Sequence, residues 1–316
     1  MRIVVAGGAG FLGSHLCDAL VARGDSVVIL DNLSSGSLSN VQHLIDGGHE
    51  FIACDVSQDV PVTGRVDGVF NLASPASPPH YLQHPLETLA VGSEGTRRLL
   101  ELAHTYGARF LQASTSEVYG DPLIHPQPES YWGNVNPIGP RSVYDEAKRF
   151  GETIVTAYRT AKGTNTSIAR IFNTYGPRLD PGDGRVVSNF MYQALMGTEL
   201  TIYGDGSQTR SLTYVADEVR GLIALFDSGH PGPINLGGQI EQTILEIAET
   251  ILAVTGSQSQ LVFCPLPVDD PTRRRPDISL AREVLGWEPT TSLHDGLSAL
   301  RDDYLNRYIE KGYRQP

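Results

Sequence analysis

The sequence predicts an α/β fold: a doubly wound parallel sheet followed by a smaller C-terminal α/β unit. Three features carry that expectation. Arg2-Ile3-Val4-Val5-Ala6 is a short apolar run that passes into Gly7-Gly8-Ala9-Gly10-Phe11-Leu12-Gly13 and then into His15-Leu16-Cys17-Asp18-Ala19-Leu20, which reads as strand, glycine turn and helix. A second apolar run, Ser26 to Leu30, delivers Asp31 about twenty residues after the glycines. Beyond it, strand-length apolar runs alternate with helical stretches and no repeat or low-complexity tract intervenes, the signature of a parallel sheet.

Taken in order, Gly7 allows a tight turn, Gly10 lets backbone N–H groups approach a pyrophosphate, and Gly13 lets the helix pack closely. Phe11 and Leu12 complete the turn, and the whole reads as a Rossmann-type dinucleotide site. Asp31 supplies a carboxylate for the adenosine ribose hydroxyls, and Asn32, Ser35 and Gly36 after it bring no cation to receive a 2′-phosphate, so the expected cofactor is NAD rather than NADP. Further strands are expected at 50–54, 68–72, 108–113 and 167–171, with helices at 89–106 and 143–162. Ligands of open α/β sheets lie beyond the carboxyl ends of the strands. That rule gathers Asp55 and Val56, Leu72, Ala73 and Ser74, Ser114 to Glu117, and Phe172 and Asn173 around one crevice, with Asp55 toward the adenine. The Pro-rich segment 122–140 exceeds an ordinary connection and reads as a substrate-facing lid. Residues 1–174 are expected to form the NAD-binding domain, with segments near 211–236 returning to it, and 175–316 to form mainly the substrate domain.

Composition narrows the partners. At 316 residues the chain exceeds the usual size for one core. A formal net charge of -12 argues against nucleic acid or an anionic membrane. No apolar stretch approaches a membrane span and no leader precedes the first strand, so a cytoplasmic protein is expected. Cys17, Cys54 and Cys264 are odd in number and scattered, which suits reduced thiols better than disulfides or metal ligands, and no metal site is expected.

The chemistry points to redox work on a sugar. Tyr144 and Lys148 in Tyr144-Asp145-Glu146-Ala147-Lys148 fall on one helix face, where an ammonium can favour the phenolate. Lowering a tyrosine pKa from ~10 to ~7 takes roughly 4 kcal/mol, which one cation plus a bound nicotinamide can supply. Thr115-Ser116-Glu117 stands a few tens of residues upstream. Arg185, Arg210 and Arg274 are candidate anion binders in an acidic chain, although each reads as readily as a solvated surface arginine.

These residues carry a family resemblance over essentially the whole chain. The glycine turn, Ser114-Thr115-Ser116-Glu117-Val118-Tyr119-Gly120, the Tyr-Lys helix and Ala169-Arg170-Ile171-Phe172-Asn173-Thr174-Tyr175-Gly176-Pro177-Arg178 resemble the extended short-chain dehydrogenases that modify nucleotide sugars. Within that group the chain resembles the UDP-glucuronate decarboxylases, through Asn71 to Pro79, Asp183 to Phe190, Gly204 to Arg210, and Asp269-Asp270-Pro271 through Asp277. The resemblance implies conversion of UDP-glucuronate to UDP-xylose and CO2 through a UDP-4-keto sugar, with NAD regenerated each cycle. By the same resemblance Tyr144 takes the 4-hydroxyl proton, Lys148 tunes Tyr144 and holds the nicotinamide ribose, Thr115 hydrogen-bonds that hydroxyl, and Glu117 and Arg274 serve decarboxylation. Ala76, Tyr81, Ser116, Arg141, Asn173, Arg185, Tyr203, Gln208 and Arg210 match positions lining the substrate. A homodimer through the helices at 89–106 and 143–162 is also implied.

Two positions depart from the pattern: Gly92 stands where many relatives carry Asn, and Ala90 where close relatives often carry Lys. A 4,6-dehydratase would need an acid at position 116, which Ser116 cannot provide. A 4-epimerase needs only C4 oxidation and a turn of the sugar, and is the alternative reading. A non-catalytic NAD-binding interaction protein is a further alternative that fold alone never excludes.

Overall fold

The computed structural model describes residues 1–266 and 273–309, with the side chain of Ile309 left aside. Asp269, Asp270 and Pro271, which carry part of the resemblance, lie outside the described residues.

Six strands, β1 (Arg2–Ala6), β2 (Ser26–Asp31), β3 (Glu50–Ala53), β4 (Gly68–Asn71), β5 (Arg109–Thr115) and β6 (Thr166–Ile171), form one sheet with the strand Ile234–Leu236. Every pairing is parallel, and the order is Ile234–Leu236, β6, β5, β4, β1, β2, β3. The chain winds outward in one direction through β1 to β3 and in the other from β4 onward, so the switch point lies between β1 and β4. That is where a crevice opens at the carboxyl ends.

Alternation along each strand feeds two cores. Ile3 and Val5 join the core containing Leu16, Leu20, Leu222 and Phe226, while Val4 and Ala6 join the opposite one with Leu99, Leu100 and Phe110. Burying each such large side chain is worth about 1.5–3 kcal/mol. Helix Val215–Ser228 packs beside helix Phe11–Ala22. Ile278, Ala281 and Trp287 also join the sheet's core, a return of the chain near 278–287 that the sequence reading assigned to the substrate unit.

A third core belongs to helices Val186–Met196, Ile244–Thr255 and Leu293–Tyr304, through Phe190, Met191, Ile247, Ile251, Leu297 and Leu300. Strand Leu200–Tyr203 pairs in parallel with Leu261–Cys264. A three-stranded sheet places Thr209–Ser211 between Glu241–Thr243 and Arg273–Arg274.

Two expectations need correction. The helix expected at 89–106 is Pro85–Ala90, a π turn Val91–Gly95, and Thr96–Tyr106. The interruption coincides with Gly92, where an added Cβ would sit 2.7 Å from the Ala147 Cβ of the Tyr-Lys helix. The Pro-rich segment is not a lid. Of residues 122–140 only Pro140 lines the main cavity, because the middle of the segment is consumed in holding the Arg273–Arg274 strand: Gln127 is fully buried and exchanges backbone hydrogen bonds with Arg275 and Asp277.

Candidate active site

A cavity of about 1450 Å³ runs from the carboxyl ends of the sheet to the C-terminal unit. Every residue that the sequence analysis assigned to catalysis, cofactor or substrate lines it.

At the sheet end, helix Phe11–Ala22 starts directly on the cavity. Gly7 has φ +77°, and a Cβ there would lie 2.7 Å from the Leu72 carbonyl carbon. One at Gly13 would lie 2.0 Å from the Gly7 carbonyl oxygen. With no side chains in the way, backbone N–H groups and a helix N-terminus face the cavity, the donor set that a pyrophosphate needs. Asp31 accepts hydrogen bonds from Ala9 N at 2.9 Å and Leu33 N at 2.8 Å. Burial raises its carboxyl above the ordinary value, against these backbone donors. A Cβ at Gly36 would stand 3.0 Å from both carboxylate oxygens, so glycine leaves room beside them. Asn32 caps Ser34 N at 3.1 Å and Asp55 caps Ser57 N at 2.9 Å. These residues fit NAD. Asp31→Ala should weaken NAD binding about tenfold or more, the scale of a charge-assisted hydrogen bond, in a fluorescence titration. Tighter binding of NADP than of NAD by the unaltered protein would contradict the reading of Asp31.

The Tyr144–Lys148 pair sits deeper. Tyr144 and Lys148 are buried on helix Ser142–Lys162. The Tyr144 ring stacks on Tyr81 with centroids 5.1 Å apart and planes 10° from parallel. Burial pushes the Tyr144 hydroxyl well above the ordinary value, opposed by its hydrogen bond with Thr115 and by the charge of Arg185. Lys148 Nζ donates to the Ala113 carbonyl at 3.0 Å and lies 5.6 Å from the centre of the Tyr144 ring. Burial brings its pKa down to about 8. The protein alone therefore does not lower the Tyr144 pKa; among its own groups Thr115 and Arg185 push in that direction.

Glu117, at the end of β5 in the turn Ser116–Tyr119, is gripped by two arginines. Arg274 binds it through both terminal nitrogens, one bond measuring 3.0 Å, and Arg141 Nη2 reaches it at 2.9 Å. Burial opposes ionisation here, but the Arg274 and Arg141 charges outweigh it and hold the carboxyl well below its usual range. The fork of Arg274 is thus engaged with Glu117 and does not stand open toward a ligand. Arg185 is likewise paired, with Asp183. Arg210 and Arg274 are register partners on adjacent strands, both buried and both lining the cavity. Gln208 donates to the Tyr203 carbonyl at 3.2 Å, and Ala76, Ser116, Asn173 and Tyr203 complete that wall.

Sequence reasoning missed Asp145, Asp183 and Arg307. Asp145 is buried next to Tyr144, and burial together with the Glu117 charge pushes its carboxyl up; its position inside the Tyr-Lys motif was the available signal. Asp183 precedes Arg185 by two residues. Arg307, which lines the cavity and donates to Asn40 at 2.7 Å across most of the chain, left no local signal.

Gly92 packs on Ala147, the residue between Glu146 and Lys148 on the Tyr-Lys helix. Gly92→Asn should cost about 1–3 kcal/mol by overpacking, measured by denaturant unfolding, and should slow turnover by displacing Tyr144. Unchanged stability and turnover would contradict this account of the π turn.

Residues 3–237 match the model of the NAD dependent epimerase/dehydratase family. The chain is 51% identical over 312 residues to UDP-glucuronic acid decarboxylase 1 of Arabidopsis thaliana, covering 98% of this chain and 71% of that protein. It is also 51% identical over 311 residues to UDP-glucuronic acid decarboxylase 1 of Danio rerio, with 98% and 73% covered. Among solved structures it is similar to UDP-glucose 4-epimerase of Thermotoga maritima with UDP-glucose (TM-score 0.90, 31% identity, 97% and 99% covered). UDP-glucuronic acid 4-epimerase from Bacillus cereus, in complex with UDP-glucuronic acid and NAD, is similar too (TM-score 0.84, 31% identity, 98% and 100% covered). With the glycine turn, Asp31 and the Tyr144-Lys148 helix on one cavity and the family model spanning most of the sequence, the chain belongs to the NAD dependent epimerase/dehydratase family.

Proposed function

We infer that the chain catalyses the NAD-dependent decarboxylation of UDP-glucuronate to UDP-xylose and CO2. The observation that carries this reading is the Glu117 carboxylate clasped by Arg274 and Arg141 on the same cavity as Tyr144, in a chain about half identical to decarboxylases along its length. NAD, held by the glycine turn and Asp31, supplies the chemistry of taking a hydride from C4 of the sugar and returning it in the same turnover.

The chain's own residues do the rest. Tyr144 takes the proton of the 4-hydroxyl, with Thr115 hydrogen-bonded beside it, and gives it back at the end. A ketone at C4 lies β to the C5 carboxylate, so the electrons of the breaking C5–carboxyl bond pass into that ketone as CO2 leaves. Arg274 and Arg141 attract the sugar carboxylate by exchanging part of their hold on Glu117. Once released from two cations, the Glu117 carboxyl keeps the burial that raises its pKa, so it takes up a proton from solvent and can deliver it, directly or through water, to C5. Arg210 and Arg185, with Asn173, Gln208 and Tyr203, suit the diphosphate and uridine.

Incubation with UDP-glucuronate and NAD tests the reading by mass analysis of the nucleotide sugar. Loss of the whole carboxyl group is expected. A product of unchanged mass identified as UDP-galacturonate would favour the 4-epimerase alternative, which needs Tyr144 and Lys148 but has little use for Glu117 and Arg274.

The same reading includes a homodimer. It is supported by exposed apolar side chains on two adjoining helices, Leu86 and Leu89 on Pro85–Ala90 and Phe150 on Ser142–Lys162. A cytoplasmic location is in keeping with three unpaired cysteines. Among the described residues no helix is long and apolar enough to cross a membrane, and three or more His, Cys, Asp or Glu side chains nowhere gather in a way that could hold a metal ion. The division into an NAD-binding part near 1–174 and a substrate part near 175–316 belongs to this proposal as well, with 211–236 and 278–287 counted with the former.

A further inference from the structure

Glu117 and Arg274 are distant in sequence, and neither sits in a long regular element. Glu117 belongs to the short turn Ser116–Tyr119 and Arg274 to the two-residue strand Arg273–Arg274. Something must fix the distance between them. Two fully buried amide side chains, Gln127 and Asn235, stand behind the pair and do not line the cavity.

Gln127 holds the Arg274 side. Its N–H donates to the Arg275 carbonyl at 2.9 Å and its carbonyl accepts from Asp277 N at 2.9 Å. Its side-chain Oε1 accepts from Arg275 N at 3.0 Å, and its Nε2 donates to the Ile124 carbonyl at 3.0 Å. Asn235 joins this to the Glu117 side. Its Nδ2 donates to the Gln127 carbonyl at 2.9 Å and to the Asp277 carbonyl at 3.1 Å. Its Oδ1 accepts from the Tyr119 hydroxyl at 2.8 Å, and Tyr119 lies two residues beyond Glu117 in the same turn.

We propose that the Gln127–Asn235 hub positions the Glu117–Arg274 pair for decarboxylation, and that the Pro-rich segment exists to supply one half of it. The proposal rests on the decarboxylase reading above. A buried polar network in which every partner is satisfied holds one geometry, and an amide deleted from it strands the groups it served. Displacement of Arg274 affects the step in which CO2 leaves. The C4 proton transfer is assigned to Tyr144 on the long helix Ser142–Lys162 and to Thr115 at the end of β5, regular elements placed by the sheet and its packing rather than by the hub. Gln127 and Asn235 are positioning residues, since they touch neither substrate nor cofactor.

The test separates the two steps. Gln127→Met keeps the volume and removes the side-chain hydrogen bonds with Arg275 N, the Ile124 carbonyl and the His125 ring, while Gln127→Glu keeps an acceptor for Arg275 N. In single turnovers with UDP-glucuronate, Gln127→Met should form reduced nicotinamide at a rate near that of the unaltered protein. It should then release CO2 on the order of tenfold or more slowly, with a 4-keto sugar that still carries its carboxyl group accumulating in the mass spectrum. Gln127→Glu should lie between the two, and UDP should bind all three within about twofold. If both steps slow by the same factor, or neither slows, the hub is part of the fold and nothing more, and the proposal is overturned. Should Gln127→Met fail to fold, the two rates of Gln127→Glu decide by the same criterion. Failure of the decarboxylase reading itself is distinguishable, because the unaltered protein would then retain the carboxyl group on its product.

Discussion

Tyr144→Phe should abolish formation of NADH from UDP-glucuronate, lowering the first step by about 10²- to 10⁴-fold, the usual contribution of a positioned acid or base. Phenylalanine keeps the ring that stacks on Tyr81, so NAD and UDP should bind the variant within about twofold by calorimetry, and the loss should appear in the rate alone. The hydroxyl is buried, and burial raises its pKa, so the chain keeps Tyr144 protonated until the cofactor's charge is added to Thr115 and Arg185. A nicotinamide absorbance rise in Tyr144→Phe at the rate of the unaltered protein would remove Tyr144 from the proton transfer.

Glu117→Gln should slow steady-state turnover by ~10²-fold or more while UDP binding survives, because the change preserves size and removes only the charge. Arg274→Ala should impair CO2 release and also weaken binding of UDP-glucuronate. Glu117→Gln leaves the buried Arg274 without its carboxylate, a loss that costs about 3–5 kcal/mol in a buried pair and is readable as a lower denaturation midpoint, whereas Arg274→Ala leaves Glu117 its bond to Arg141 and should cost less. The pH dependence has a definite sign. Because the folded-state pKa of Glu117 is depressed from 4.5 to about 2, the pair's contribution to stability is present above pH 4.5 and is lost as pH falls toward 2. The unaltered protein should lose stability across that window more steeply than Glu117→Gln. Normal turnover by Glu117→Gln would leave Glu117 as a strand-end residue that merely holds two arginines.

The sheet and its crevice were legible because their signals are local. Gly7, Gly10, Gly13 and Asp31 lie within one strand-helix-strand unit, and Tyr144 and Lys148 are one helical turn apart. What Arg274 and Arg185 do in the folded chain was not legible, since an isolated arginine carries no mark of its partner: one closes on Glu117 and the other on Asp183. The Pro-rich segment misled because length and composition separate a loop from a helix but not a lid from a strut. The burial of Gln127 against Arg275 is a contact across well over a hundred residues that no periodicity announces. Likewise Ile278, Ala281 and Trp287 return to the sheet's core through tertiary packing alone.

The central claim is that one cavity oxidises C4, removes the C5 carboxyl group and returns the hydride. Turnover of UDP-glucuronate in heavy water with NAD, followed by magnetic resonance of the isolated nucleotide sugar, tests it most directly. The account predicts UDP-xylose bearing one solvent-derived deuterium at C5, CO2 formed in equal amount, and no net consumption of NAD. UDP-galacturonate with its carboxyl group intact and no deuterium at C5 would contradict it.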